Sequence, residues 1–212
     1  MSVLALKVQA APSTILKRLI KSHQLVAYFV LAFAGTWLTV LPVLLGRNGF
    51  GLLPYTFPFL PLWGLFMLGA FTGPTLSAFI VTAVTSGKSG VRQFLRRYVQ
   101  WRVGVRWYLL VFLSYPVVTL LALSILLGAA PLNAIIQHWP LIFTLYLPLI
   151  LTVNLIDAVG EEPGWRGFAL PRLQQQYGPF RGSVIPGLLH SFWHLPGFFV
   201  IGWLGRSHQA GS

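Results

Sequence analysis

The chain has 212 residues, of which 56% are hydrophobic and only 8% are Asp, Glu, Lys or Arg, whereas a soluble domain carries about 25% charged residues. Its net charge is +12 and it contains no cysteine, which excludes disulfides, thiolate metal sites and a cysteine nucleophile within this sequence. Composition therefore places the chain in a lipid bilayer. Its basic residues fall in short loops between apolar runs, so they do not indicate nucleic-acid binding.

The apolar runs predict an all-α fold, a polytopic transmembrane helical bundle. Several of them reach the roughly 20 residues that a helix needs to cross the hydrocarbon core. Within that core every backbone group must be paired, which favours helices where the runs are long and continuous rather than short and alternating. We predict five spans, at about residues 25–45, 62–85, 107–127, 139–159 and 183–204.

The N-terminal residues 1–24 are predicted to form a basic cytoplasmic segment, and residues 25–212 a single membrane-embedded domain. Three prolines between residues 54 and 61 follow the first span at spacings that no regular helix tolerates. A loop or a shallow interfacial segment is expected there.

Residues 88–106 follow the second span and are strongly basic, without an acidic residue. Their apolar side chains are spaced to share one helical face, at Val91, Leu95, Tyr98 and Val99. This pattern predicts a basic amphipathic helix on an anionic inner leaflet; a solvated cytoplasmic loop is the alternative. The alternation of basic and uncharged loops predicts an integral multi-pass protein of the cell membrane with a cytoplasmic N-terminus.

The acidic residues are confined to the end of the fourth predicted span, where Asp157, Glu161 and Glu162 are the only ones in the sequence. A carboxylate at membrane depth costs a few kcal/mol even on lenient scales, so a functional site is the default hypothesis. A snorkelling charge cluster at the interface is the alternative. Pro163 predicts a helix break or kink directly after these acids.

An arginine follows the acidic pair at helical spacing. Glu162 and Arg166 lie four positions apart, close enough on one helical face to form an ion pair. Such a pair would leave Glu161 as the freer carboxylate.

Two histidines lie four positions apart within the last apolar run, at His190 and His194. On a helix both imidazoles point to the same side, which suits two ligands of one zinc ion; hydrogen bonding between helices explains the pair equally well. Together with Glu161 they supply the ligand set of many hydrolytic zinc sites with an open position for water. The Leu195–Pro196 step predicts the end of the helix or a kink in it.

At these residues the sequence resembles the CPBP family, the CAAX protease, bacteriocin-processing and abortive-infection family of intramembrane endopeptidases. The family's first motif, two glutamates followed after three residues by an arginine, matches Glu161, Glu162 and Arg166. Its second motif, a phenylalanine with a histidine four residues later, matches at His194, but His190 stands where phenylalanine is usual. The resemblance as a whole covers about residues 152–199.

The resemblance implies metal-dependent, zinc-type cleavage of a peptide bond near the cytoplasmic membrane face, in a peptide or a prenylated protein. It implies catalytic roles for Glu161, Glu162, Arg166 and His194. Glu161, His194 and His190 are the predicted ligands of a divalent metal, with zinc expected.

The family's third motif, a histidine with an asparagine-like residue four positions later, has no match in the sequence. His208 has only Ser212 at that spacing, and we do not assign it to the motif. We therefore expect a C-terminally truncated chain, or a chain in which His190 takes over a role of the third-motif histidine. A catalytically incomplete scaffold or immunity protein of the same family is an alternative, and a proton-coupled transporter is another. The sequence carries no prediction of the oligomeric state.

Overall fold

The computed structural model describes residues 12–98, 100, 102–149, 151–152 and 155–200 of the chain, and within these ranges the structure is helical, without a strand. This confirms the all-α prediction. His208 and Ser212 lie outside the described residues. The first half contains α1 (Pro12–Ser22), α2 (Gln24–Leu45), α3 (Phe59–Ala70), the π-helical segment π1 (Phe71–Thr75) and α4 (Leu76–Tyr98). The second half contains α5 (Val105–Leu127), α6 (Ala130–His138), π2 (Ile142–Tyr146), α7 (Leu147–Leu149), α8 (Leu155–Glu162), π3 (Pro163–Ala169), α9 (Leu170–Tyr177), α10 (Pro179–Trp193) and α11 (Leu195–Phe198).

Three stretches of helix are long and apolar enough to cross a membrane. They are Gln24–Leu45, Phe59–Tyr98 and Val105–Leu127, and they contain the first three predicted spans, the second of them within a much longer stretch. The fold is thus a helical membrane bundle, as predicted.

The fourth and fifth predicted spans fall on shorter helices, so the described residues supply three candidate spans rather than five. The fourth, at about residues 139–159, is divided among π2, α7 and α8. Residues 150 and 153–154, between these helical stretches, lie outside the described residues. The described part of the fifth consists of α10 and α11.

The second span and the basic segment that follows are separated by a kink at Gly87. This residue has φ 63° and ψ −158° within α4, a conformation that glycine adopts readily because it has no Cβ. Beyond the kink the chain stays helical to Tyr98, with Phe94 buried and the neighbouring Leu95 exposed. The predicted amphipathic segment is therefore helical in its first half.

The chain divides into two compact units. The first comprises Met1–Leu95 with Asp157–Ser212, and the second comprises Arg96–Ile156. The glutamates and histidines singled out in the sequence belong to the first unit. The second contains α5, whose apolar window is not buried within the structure, as expected for a helix that faces lipid. The single-domain organisation remains a prediction.

The core of the first unit forms where π3 packs against α2. Tyr28, Trp165 and Phe168 are fully or almost fully buried. The Tyr28 ring lies 5.0 Å from that of Phe168 and 6.1 Å from that of Trp165, the latter edge-on, in the range of favourable aromatic pairs. These contacts fix π3, which carries Arg166 and directly follows the two glutamates.

Close backbone contact between π3 and π1 requires glycine at position 164. A Cβ added there would lie 2.5 Å from the Pro74 carbonyl oxygen, so a larger residue must push the two segments apart. We expect Gly164→Ala to lower the free energy of unfolding by about 1–3 kcal/mol, the usual cost of overpacking. Thermal unfolding of the solubilised protein measures this effect. Gly187→Ala is the matched control, because nothing lies within 4 Å of its added Cβ; equal stability of the two variants would contradict the close contact.

Candidate active site

Of the break or kink predicted at Pro163, the break is absent. Glu162 has helical backbone angles, and α8 continues directly into the π-helical segment Pro163–Ala169. The missing amide hydrogen of proline is tolerated because Pro163 stands at the first position of the new segment. Short π-helical segments of this kind are frequent at functional sites.

Glu161 is the only charged side chain among the described residues that is buried, with 8% of its surface exposed. It lies near the end of α8, which is held to π1 by a hydrogen bond from Thr75 Oγ1 to the Val159 carbonyl oxygen, 3.3 Å long. Gly160 allows the approach, because a Cβ there would lie 3.1 Å from that of Ala70. The carboxylate is therefore positioned by rigid helical segments.

His190 projects from α10 onto this carboxylate. Its Nε2 lies 2.9 Å from Glu161 Oε2, and its Nδ1 lies 3.4 Å from Arg166 Nη1. The imidazole also stacks on the Trp165 indole, with ring centroids 4.6 Å apart and an interplanar angle of 26°. Both ring nitrogens and one ring face are thus engaged.

His194 is the first residue after α10, whose last residue, Trp193, lies two positions before the predicted helix end or kink at Leu195. Its Nδ1 lies 3.0 Å from the His190 carbonyl oxygen. A carbonyl oxygen only accepts, so Nδ1 carries the proton, and the lone pair of a neutral ring is then on Nε2. This nitrogen is available to a water molecule or to a metal ion.

The three predicted ligands come together in space. One ligand atom each from Glu161, His190 and His194 can be chosen such that all three lie within 4.8 Å of one another. Zinc ligands at about 2.0–2.2 Å from the ion are no more than about 4.4 Å apart, so small side-chain rotations would bring the set around one ion. The spacing-based prediction of a Glu/His cluster is therefore matched by the geometry.

The predicted ion pair between Glu162 and Arg166 is present, with Oε1 and Nη1 2.7 Å apart. Both side chains are about half exposed, so the pair itself contributes little to stability. The contact of the same guanidinium with His190 was not predicted. It connects the first motif to the second.

A cavity of about 110 Å³ adjoins the site. Glu161 and His194 line one part of it, and apolar side chains that include Trp63, Phe66 and Met67 line much of the rest. A reactive carboxylate and an imidazole thus face a space that suits an apolar group.

A hydrogen-bond chain that the sequence did not reveal supports the end of α10. Trp193 Nε1 donates to Thr36 Oγ1 at 2.9 Å, and Thr36 Oγ1 donates to the Gly69 carbonyl oxygen at 2.6 Å. Trp37 Nε1 also donates to the Trp193 carbonyl oxygen. The only sequence signal was the occurrence of two threonines, Thr36 and Thr39, in a largely apolar span. These bonds hold the residue before His194 against α2 and α3.

Fold and site together define a class, a helical membrane protein with a buried carboxylate beside two imidazoles. Comparison with known proteins identifies a family that shares these features. The family model for type II CAAX prenyl endopeptidase Rce1-like proteins matches residues 142–207, which include the whole Glu/His cluster. Over this segment the chain is similar to CAAX-type endopeptidases.

A curated relative supports the same assignment. The protein "CAAX prenyl protease 2" of Methanococcus maripaludis is 32% identical over 142 residues, which cover 64% of this chain and 51% of that protein. The chain thus spans about half the length of this relative. No solved structure matches the chain.

Proposed function

We propose that this protein is an intramembrane endopeptidase that hydrolyses a peptide bond close to the cytoplasmic face of the membrane. The observation that carries the proposal is the convergence of Glu161, His190 and His194 beside an apolar cavity, within the segment that matches the endopeptidase family. An ionisable cluster is costly to keep in an apolar bundle, and a chemical role accounts for that cost.

Glu161 is the proposed general base. Its carboxylate takes a proton from a water molecule, the water oxygen attacks the carbonyl carbon of the scissile peptide bond, and the carbon–nitrogen bond then breaks. The proton passes from Glu161 to the leaving amine, so the site returns to its starting state. Burial of this carboxylate keeps competing water away from the base.

Without a metal ion, His194 orients the attacking water through its Nε2 lone pair, because Nδ1 donates to the His190 carbonyl oxygen; with an ion bound, the same lone pair would be a metal ligand. Glu162 and Arg166 act indirectly. Their ion pair holds the beginning of π3, which immediately follows the base.

A divalent cation fits the chemistry of these donors, since a carboxylate with imidazoles is a set that zinc prefers. Glu161 and His194 would hold it, and the predicted third ligand is His190. When bound, the ion would act as a Lewis acid that polarises the substrate carbonyl and makes water more acidic.

The proposed substrate is a peptide or a prenylated protein. The similarity to a CAAX prenyl protease supports this class, and the apolar walls of the cavity suit a hydrophobic part of such a substrate next to the base. We place the protein in the cell membrane with its N-terminus in the cytoplasm.

The proposed orientation is supported by two basic helical segments. Helix α1 carries Lys17, Arg18 and Lys21 together with the exposed apolar side chains of Leu16 and Leu19. The part of α4 after its kink carries further basic residues and the exposed Leu95. Such faces suit the anionic headgroups of an inner leaflet.

A reconstituted cleavage assay tests the proposal. The protein, expressed in its natural reading frame, is supplied in lipid vesicles with a prenylated peptide, before and after treatment with a chelator. We expect cleavage that falls on chelation and returns when Zn²⁺ is added. Cleavage that continues after complete removal of metal would contradict metal dependence but would still support endopeptidase activity. Folded protein that cleaves no peptide of this class would instead support a scaffold or immunity role.

A further inference from the structure

We infer that His190 is a positioning residue that donates a hydrogen bond to Glu161, and that Arg166 determines which of its ring nitrogens carries the proton. This inference rests on the proposed function for its catalytic meaning, but not for its geometry. It gives a role to the histidine that stands where the family usually has phenylalanine.

The position of the proton follows from the partners of the two ring nitrogens. The guanidinium of Arg166 can only donate, so its contact with His190 Nδ1, at 3.4 Å, requires a lone pair on that nitrogen. The proton of the neutral imidazole is then on Nε2. From there it points to Glu161 Oε2, 2.9 Å away.

The surroundings hold the ring in this orientation. The imidazole stacks on the buried Trp165, and a flip of the ring would exchange both nitrogens for carbons and break both polar contacts. Glu162 in turn holds the guanidinium, with Arg166 Nη1 2.7 Å from Glu162 Oε1. Four polar side chains thus form a directed chain, from Glu162 through Arg166 and His190 to Glu161.

This arrangement changes the role expected for His190 at a metal. A protonated Nε2 has no lone pair to offer an ion, and moving the proton to Nδ1 would set an N–H against the guanidinium of Arg166. A divalent cation would therefore be held by Glu161 and His194, while His190 orients the Glu161 carboxylate. Hydrogen-bonded partners of this kind orient ligands and bases in many sites.

Nuclear magnetic resonance of protein labelled with ¹⁵N in its histidines tests the inference without turnover. Couplings between ring nitrogens and ring carbon-bound protons show which nitrogen is protonated, and His190→Gln and His194→Gln assign the two signals. We expect His190 to be protonated at Nε2 alone. In Arg166→Met a population protonated at Nδ1 should appear, whereas Arg181→Met, on the same helix as His190, should leave the signal unchanged.

Two results would overturn the inference. One is a His190 ring protonated at Nδ1 in the unsubstituted protein. The other is loss of the Nε2 proton of His190 when Zn²⁺ is added, which would make it a ligand. Retention of that proton while the His194 signal shifts is the expected result.

The cleavage assay adds a second readout. Glutamine keeps an N–H donor near the position of Nε2, so His190→Gln should retain more activity than His190→Phe, which should lose about tenfold to a hundredfold in kcat/KM. Equal activity of the two variants would contradict a donor role. Absence of cleavage in every form, with the expected proton position, would reject the proposed function and leave the hydrogen-bond assignment intact.

Discussion

Replacing Glu161 with glutamine is expected to reduce peptide cleavage by about a hundredfold to ten-thousandfold, the range attributed to a general base. The amide has nearly the same shape as the carboxylate, and its oxygen can still accept the hydrogen bond that His190 Nε2 now directs to Oε2. The variant should therefore fold normally and lose only the ability to take a proton. Initial rates in the vesicle assay, with thermal unfolding measured in parallel, provide the comparison.

Glu162→Gln is the informative partner of this variant, because it makes the same chemical change at the adjacent position. Its carboxylate is about half exposed and pairs with Arg166, so it acts only by holding π3. We expect about a tenfold loss, clearly smaller than for Glu161. A larger loss of activity in Glu162→Gln than in Glu161→Gln would show that Glu161 is not the general base.

His194→Ala is expected to lower kcat/KM by a similar factor of about a hundred or more. The substitution removes the Nε2 lone pair that faces the site, and also the Nδ1–H donated to the His190 carbonyl oxygen. His138→Ala serves as the control, because His138 is an exposed residue at the end of α6 without a role in the site. Full activity of the His194 variant would exclude this imidazole from the chemistry.

Much of the site was predictable from local spacing. The Glu162–Arg166 pair and the proximity of His190 to His194 follow from helical geometry, in which residues four apart share a face. The first three spans followed from the length of the apolar runs. Each of these features depends on neighbours along the chain.

The features that the sequence missed depend on packing between distant segments. Thr36 and Trp193 are 157 positions apart and share a buried hydrogen bond, and Arg166 meets His190 across 24 positions. No local pattern encodes which side chains α2, π3 and α10 bring together. The sequence also could not distinguish a break at Pro163 from the start of the π-helical segment that is found there, because a proline is compatible with both.

Mass spectrometry of a prenylated peptide incubated with the reconstituted protein is the most direct test of peptide hydrolysis by this site. We expect two fragments whose masses sum to that of the peptide plus one water, formed by the unsubstituted protein and not by Glu161→Gln. An intact peptide after incubation with correctly folded, unsubstituted protein, or the same two fragments with Glu161→Gln, would contradict this expectation.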